Sequence, residues 1–149
     1  MRPYSGRRLA LVVDDCPHMQ RYLRMLLELQ ACEVEIAGNG EDAIRRVEEG
    51  CAPAIVLLDV EMPGIGGLKT LRHLRRLRPD LKVIMCSGVD DPRVIRDATE
   101  LGAEAYITKP VHHLYLSAAL ERCLASSTPR AETQEKRRTN LVTMPAPSV

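Results

Sequence analysis

Five short apolar runs recur along the chain: LALVV (9–13), CEVEIA (32–37), AIVLL (54–58), KVIMC (82–86) and EAYIT (104–108). Each is followed by a segment whose apolar residues return at helical spacing. Met19, Leu23, Leu26 and Leu27 form the first stripe, Ala43, Ile44 and Val47 the second, and Leu68, Leu71, Leu74 and Leu77 the third. Val94, Ala98 and Leu101 form the fourth, and Leu116, Leu120 and Leu124 the fifth. Turn residues separate the units at Gly50, Pro53, Pro79-Asp80 and Gly102. The first, third and fourth runs are apolar throughout, as central strands covered on both faces must be. Asn39-Gly40 is a strong hairpin signal in isolation. The helical stripe after it predicts a loop and a helix start instead.

Strict strand–helix alternation of this kind predicts an α/β fold: a doubly wound, five-stranded parallel sheet with five helices, in three layers and with right-handed crossovers. One domain is expected over about 8–125. The remaining stretch, 126–149, lacks periodicity, carries Pro129, Pro145 and Pro147, and is expected to be disordered.

Composition narrows the class. A chain of 149 residues builds one domain with a full core and is too short for two ordinary ones. Apolar residues make up 45% and charged residues 28%, with a net charge of +1, so nothing in the charge balance points to nucleic acid or a membrane surface. With no Trp and no Phe, the core falls to Leu, Val, Ile and Ala. The cysteines (Cys16, Cys32, Cys51, Cys86, Cys123) are odd in number and form no C-x-x-C pair. Reduced thiols in a cytosolic protein are expected. The basic start MRPYSGRR lacks the apolar stretch of a signal peptide, and no apolar run approaches the roughly 20 residues of a membrane span. A soluble, cytoplasmic protein is the expectation.

The chemistry lies at the strand ends. In open parallel sheets, ligands bind outside the carboxyl ends of the strands where strand order reverses. The first run ends in Asp14-Asp15, the third in Asp59, the fourth in Ser87 and the fifth in Lys109. If the order is 2-1-3-4-5, strands one and three are neighbours and three carboxylates converge. Carboxylates that close stay ionised together only when a cation shares them. An all-oxygen donor set with few carboxylates suits Mg²⁺. Taken singly, each residue has an ordinary alternative: an acid pair before Pro17 starts a helix, a lone Asp ends a strand in a turn, and a Lys before Pro sits on the surface. Four such deliveries at four of five strand ends argue for a shared pocket.

VVDD (12–15), NGEDA (39–43), LLDVEMPGIGG (57–67), MCSG (85–88) and LGAEAYITKP (101–110), in this order and spacing, resemble the receiver domains of bacterial two-component response regulators. The resemblance covers about residues 8–124 and implies a flavodoxin-like sheet in the order 2-1-3-4-5. It implies that Asp59 is the phosphoacceptor (a 4-aspartylphosphate site) and that Asp14 and Asp15 are the acid pair. Asp15 and Asp59 then match direct Mg²⁺ ligands, with the backbone carbonyl of Glu61 completing the protein's share. Ser87 and Lys109 match the hydroxyl and the ammonium that contact the phosphoryl group. Tyr106 matches an aromatic switch coupled to Ser87, and Lys109–Pro110 a bond that is typically cis in the family.

The implied function is phosphoryl acceptance from a histidine kinase or phosphotransfer protein, with output through the face of the fourth helix, fifth strand and fifth helix. The reading is not an enzyme with separate substrate turnover, and no DNA-binding domain is expected, so the receiver would act alone by binding a target protein. Ser87 stands where Thr is commoner in the family, and Glu61 places an acid two residues after the acceptor. His112 and His113 read as surface residues at a helix start. A haloacid-dehalogenase-type phosphatase also uses Asp and Mg²⁺, but its D-x-D follows the first strand, where this chain has D-D. A non-phosphorylated scaffold would not require Asp14, Asp15, Asp59, Ser87 and Lys109 together.

Overall fold

The computed structural model describes residues 7–125 and 143–144. Along the chain run β1 (Arg8–Val13), α1 (Pro17–Leu29), β2 (Cys32–Ala37), α2 (Gly40–Glu48), β3 (Ile55–Asp59) and α3 (Gly66–Leu77). They are followed by β4 (Lys82–Ser87), α4 (Pro92–Glu100), β5 (Ala105–Thr108), α5 (His113–Ala125) and β6 (Thr143–Met144). All neighbouring strands pair in parallel, in the order β2-β1-β3-β4-β5-β6. The expected flavodoxin-like order 2-1-3-4-5 is present, with one strand added.

Alternation along the strands divides the core between two faces. Ala10, Val12, Ile55, Leu57 and Ile84 pack with Leu23 and Leu27 of α1 and with Leu116 and Leu120 of α5. Leu11, Val13, Val56, Leu58 and Val83 face Ala43 and Val47 of α2, Leu71 and Leu74 of α3, and Ala98 of α4. All five residues of β3 are buried, which explains why that run shows no polar alternation. The thiols of Cys32, Cys86 and Cys123 are buried and all five cysteines are free. Burial pushes the Cys86 thiol up to about 12, so it packs as a neutral group. No helix among the described residues is long and apolar enough to cross a membrane.

NGEDA starts a helix. The Asn39 side chain accepts from the Asp42 N–H at 2.7 Å and caps α2, satisfying a donor that has no partner within the helix. Cys16 stands at the N-cap of α1 with Pro17 following. One expectation needs correcting within 126–149. Thr143–Met144 is not disordered but pairs with β5, with Tyr106 opposite Thr143 and Ile107 opposite Met144. A two-residue strand is too short to leave a periodic signature in sequence. The rest of that expectation lies outside the described residues.

Candidate functional site

β1 and β3 are adjacent, with Val13 opposite Leu58, so their carboxyl ends open side by side. Asp14 and Asp59 are buried there, at 1% and 5% exposure, while Asp15 stands at the exposed rim. One carboxylate oxygen from each of the three lies within 4.8 Å of the others. Lys109 arrives from the end of β5, and its Nζ lies 2.9 Å from Asp14 Oδ2 and 3.2 Å from Asp59 Oδ2. Burial pushes the Asp59 carboxyl above its usual range; the Lys109 charge opposes that shift and Asp14 adds to it. For Lys109, burial favours the neutral amine, but the Asp14 hydrogen bond and the Asp59 charge outweigh it and raise its pKa. The lysine therefore stays cationic at neutral pH.

Backbone donors set the carboxylates. The Cys16 N–H donates to Asp14 Oδ1 at 2.9 Å, and the Glu61 N–H to Asp59 Oδ1 at 3.2 Å. Each acid therefore has one oxygen on the backbone and the other on Lys109. Gln20 of α1 donates its side-chain amide to the Asp14 carbonyl at 2.6 Å and ties the helix to the strand end. Glu61 itself is exposed at the rim.

The loop after β3 is held from two sides. Gly67 approaches β3 so closely that a Cβ there would lie 2.1 Å from the Asp59 carbonyl oxygen, and its N–H donates to the Val60 carbonyl at 2.9 Å. Glu41 of α2 accepts from the Ile65 N–H at 2.9 Å. Gln20, Glu41 and Gly67 carry no catalytic signature in sequence. Of the three, Gly67, the last glycine of PGIGG, is the one whose residue type the contact dictates.

Ser87 is fully buried at the end of β4, and its Oγ accepts from the Val89 N–H at 3.0 Å. A hydroxyl that accepts there keeps its own proton for donation. The Lys109 N–H bonds the Ser87 carbonyl at 2.7 Å, coupling the two strand ends. Lys109–Pro110 is cis, as the resemblance implied. Tyr106 is fully buried, and its hydroxyl donates to the Val89 carbonyl at 2.7 Å. Val89 thus bridges Ser87 and Tyr106 through its amide and its carbonyl.

Residues 10–121 match the family model of the response regulator receiver domain. The chain belongs to that family. Chemotaxis protein CheY of Listeria monocytogenes is 34% identical over 113 residues, covering 75% of this chain and 94% of that protein. The transcriptional activator protein ExaE of Pseudomonas putida is 33% identical over 139 residues, 92% of this chain, and this receiver spans 63% of its length. Among solved structures, a CheY-like receiver domain protein from Methanospirillum hungatei has a TM-score of 0.75 at 28% identity, covering 87% of this chain and 98% of that one. Response regulator TrrA of Thermotoga maritima, solved with Mg²⁺ and BeF, gives a TM-score of 0.71 at 29% identity, covering 78% and 98%. In this receiver the three strand-end acids and Lys109 converge on one acidic cluster, and the Lys109 backbone ties Ser87 at the end of β4 to it.

Proposed function

We propose that this receiver accepts a phosphoryl group on Asp59 from the phosphohistidine of a histidine kinase or phosphotransfer protein, and passes the signal to a protein target. The observation that carries this reading is a buried Asp59 held at once by Lys109 and by a backbone N–H beside two further acids. In the transfer, Asp59 Oδ attacks phosphorus, the P–N bond to the kinase histidine breaks, and an acyl phosphate forms. A carboxylate nucleophile needs no general base. The Glu61 N–H and Lys109 orient it, Lys109 offsets charge on the equatorial oxygens, and the Ser87 hydroxyl is the donor on the β4 side.

Asp14, Asp15 and Asp59 fit a divalent cation: three carboxylates within 4.8 Å, one at an open rim, is an all-oxygen set suited to Mg²⁺. The Glu61 carbonyl is the further candidate ligand. Mg²⁺ when bound would neutralise the acids and stabilise charge on the transferring group. TrrA, the related regulator solved with Mg²⁺ and BeF, supports the assignment.

The output path is Asp59 to Ser87, through Val89 to Tyr106, and on to the face of α4, β5 and α5. Tyr106 already lies inward, so phosphorylation acts here by pulling Ser87 and fixing the Val89 bridge, which holds the ring in place. The only covalent turnover is loss of the acyl phosphate by hydrolysis. Incubation with Mg²⁺ and acetyl phosphate tests the core claim by intact mass. Gain of one phosphoryl group, absent in Asp59→Asn, is expected; no gain, with acetyl phosphate or with kinase, overturns it.

A further inference from the structure

The sheet does not end at β5. Thr143 pairs with Tyr106 and Met144 with Ile107, in parallel, so the chain's own C-terminal segment occupies what would otherwise be a free strand edge. A bare edge offers unpaired N–H and C=O groups to any extended chain. We propose that the outer edge of β5 is a strand-accepting interaction surface, and that Thr143–Met144 fills it in cis as a latch that must leave before a partner can add its own strand there.

Two independent features support this. The first is topological. α5 returns the chain to the end of the sheet where β5 begins, so β5–α5–β6 repeats the strand–helix–strand unit of the whole fold and needs no further reversal. The second lies in the sequence. Within 126–149, Leu141, Val142, Thr143 and Met144 form the one run of apolar and β-branched residues, and Pro145, which has no N–H to extend a ladder, follows directly. The strand falls on that run and stops at that proline.

The length of β6 sets its behaviour. Two paired residues form a short ladder that a longer incoming strand outcompetes by pairing along all of β5. The latch also meets the output path, because Tyr106, opposite Thr143, is the residue whose hydroxyl is tied through Val89 to Ser87. The regulatory consequence rests on the output face proposed above, whereas the pairing itself stands without it.

Amide hydrogen exchange and nuclear Overhauser contacts on the full chain test the proposal. Inter-strand contacts between Tyr106–Ile107 and Thr143–Met144 are expected in the unaltered protein, and their absence overturns the pairing. In Thr143→Pro/Met144→Pro, the β5 amides not bonded to β4 should exchange at least about tenfold faster, with those of β1 and β3 unchanged. A peptide of residues 139–149 added to that variant should restore protection, and the same peptide carrying both prolines should not. Equal β5 exchange in the two chains overturns the latch. So does protection that fades on dilution together with a dimer in ultracentrifugation, because the strand then comes from a second copy. None of these readouts requires Asp59 to be phosphorylated, so a failed phosphoacceptor reading and a failed latch give different results.

Discussion

Lys109 Nζ lies 2.9 Å from Asp14 Oδ2, and the same nitrogen reaches Asp59 Oδ2 at 3.2 Å. One cation therefore serves two buried acids. Lys109→Ala is expected to slow acetyl-phosphate-driven phosphorylation by roughly 10²-fold, the scale of losing one preorganised charge at a transferring group. It should also destabilise the metal-free fold by about 3 kcal/mol, because two desolvated carboxylates lose their counter-charge. Lys109→Arg keeps the charge but replaces a point ammonium with a planar fork. It should rescue more stability than rate. Chemical denaturation alongside phosphorylation kinetics separates the two effects.

Burial raises the Asp59 pKa in the folded chain, which fixes the sign of its contribution to stability. The folded carboxyl holds its proton more tightly than the unfolded one. Its contribution therefore falls as pH rises from the ordinary aspartate range of about 3.9 through the raised folded value. Asp59→Asn removes that cost. Without metal at pH 7 the variant is expected to be more stable than the parent by on the order of 1 kcal/mol. The gain should shrink as pH drops toward the ordinary aspartate range, and urea titrations at several pH values follow it. Mg²⁺ should close the gap from the other side, stabilising the parent by about 2.7 kcal/mol at a hundredfold excess over its Kd and Asp59→Asn by much less.

Much of this was legible in the sequence for a simple reason. A buried parallel strand is an unbroken apolar run, so the residue that breaks it, Asp14, Asp59, Ser87 or Lys109, marks a strand end and thus the ligand edge of the sheet. What holds those residues was not legible. Gln20 acts on a backbone carbonyl, Glu41 on a backbone amide 24 residues away, and Val89 through its amide and carbonyl alone. None of these leaves a mark on residue type. Tyr106 could be read as a switch by resemblance, but whether its ring lay outside or inside depended on packing against α4 and the β4–α4 loop. β6 escaped for a different reason, being shorter than any period.

Gly67 is a further site where backbone contact dictates the residue. A methyl group there would sit 2.1 Å from the Asp59 carbonyl oxygen and 2.6 Å from Val60 Cα. Both obstacles are backbone and cannot swing aside as a side chain would. Gly67→Ala is expected to cost about 1–3 kcal/mol by overpacking. Because the displaced atoms belong to Asp59, the proposed acceptor, phosphorylation should slow as well. A variant that kept both stability and rate would show that α3 can retreat from β3 without moving Asp59.

Two changes at Tyr106 separate its packing from its hydrogen bond. The ring is fully buried, and the hydroxyl donates to Val89 at 2.7 Å. Tyr106→Ala empties a site packed with Val83, Met85 and Ala98 and is expected to destabilise the fold by about 3–5 kcal/mol. Tyr106→Phe keeps the ring but leaves the Val89 carbonyl without its donor, at a cost of about 1 kcal/mol. Phosphoryl transfer uses neither group, so Tyr106→Phe should accept phosphate from acetyl phosphate at close to the parental rate. What it should lose is the path outward. In the parent, phosphorylation should shift the α4 and β5 amide resonances, and in Tyr106→Phe that response should weaken while the shifts around Asp59 persist. An equal response in both proteins would mean that the signal leaves the pocket without passing through the Val89 bridge.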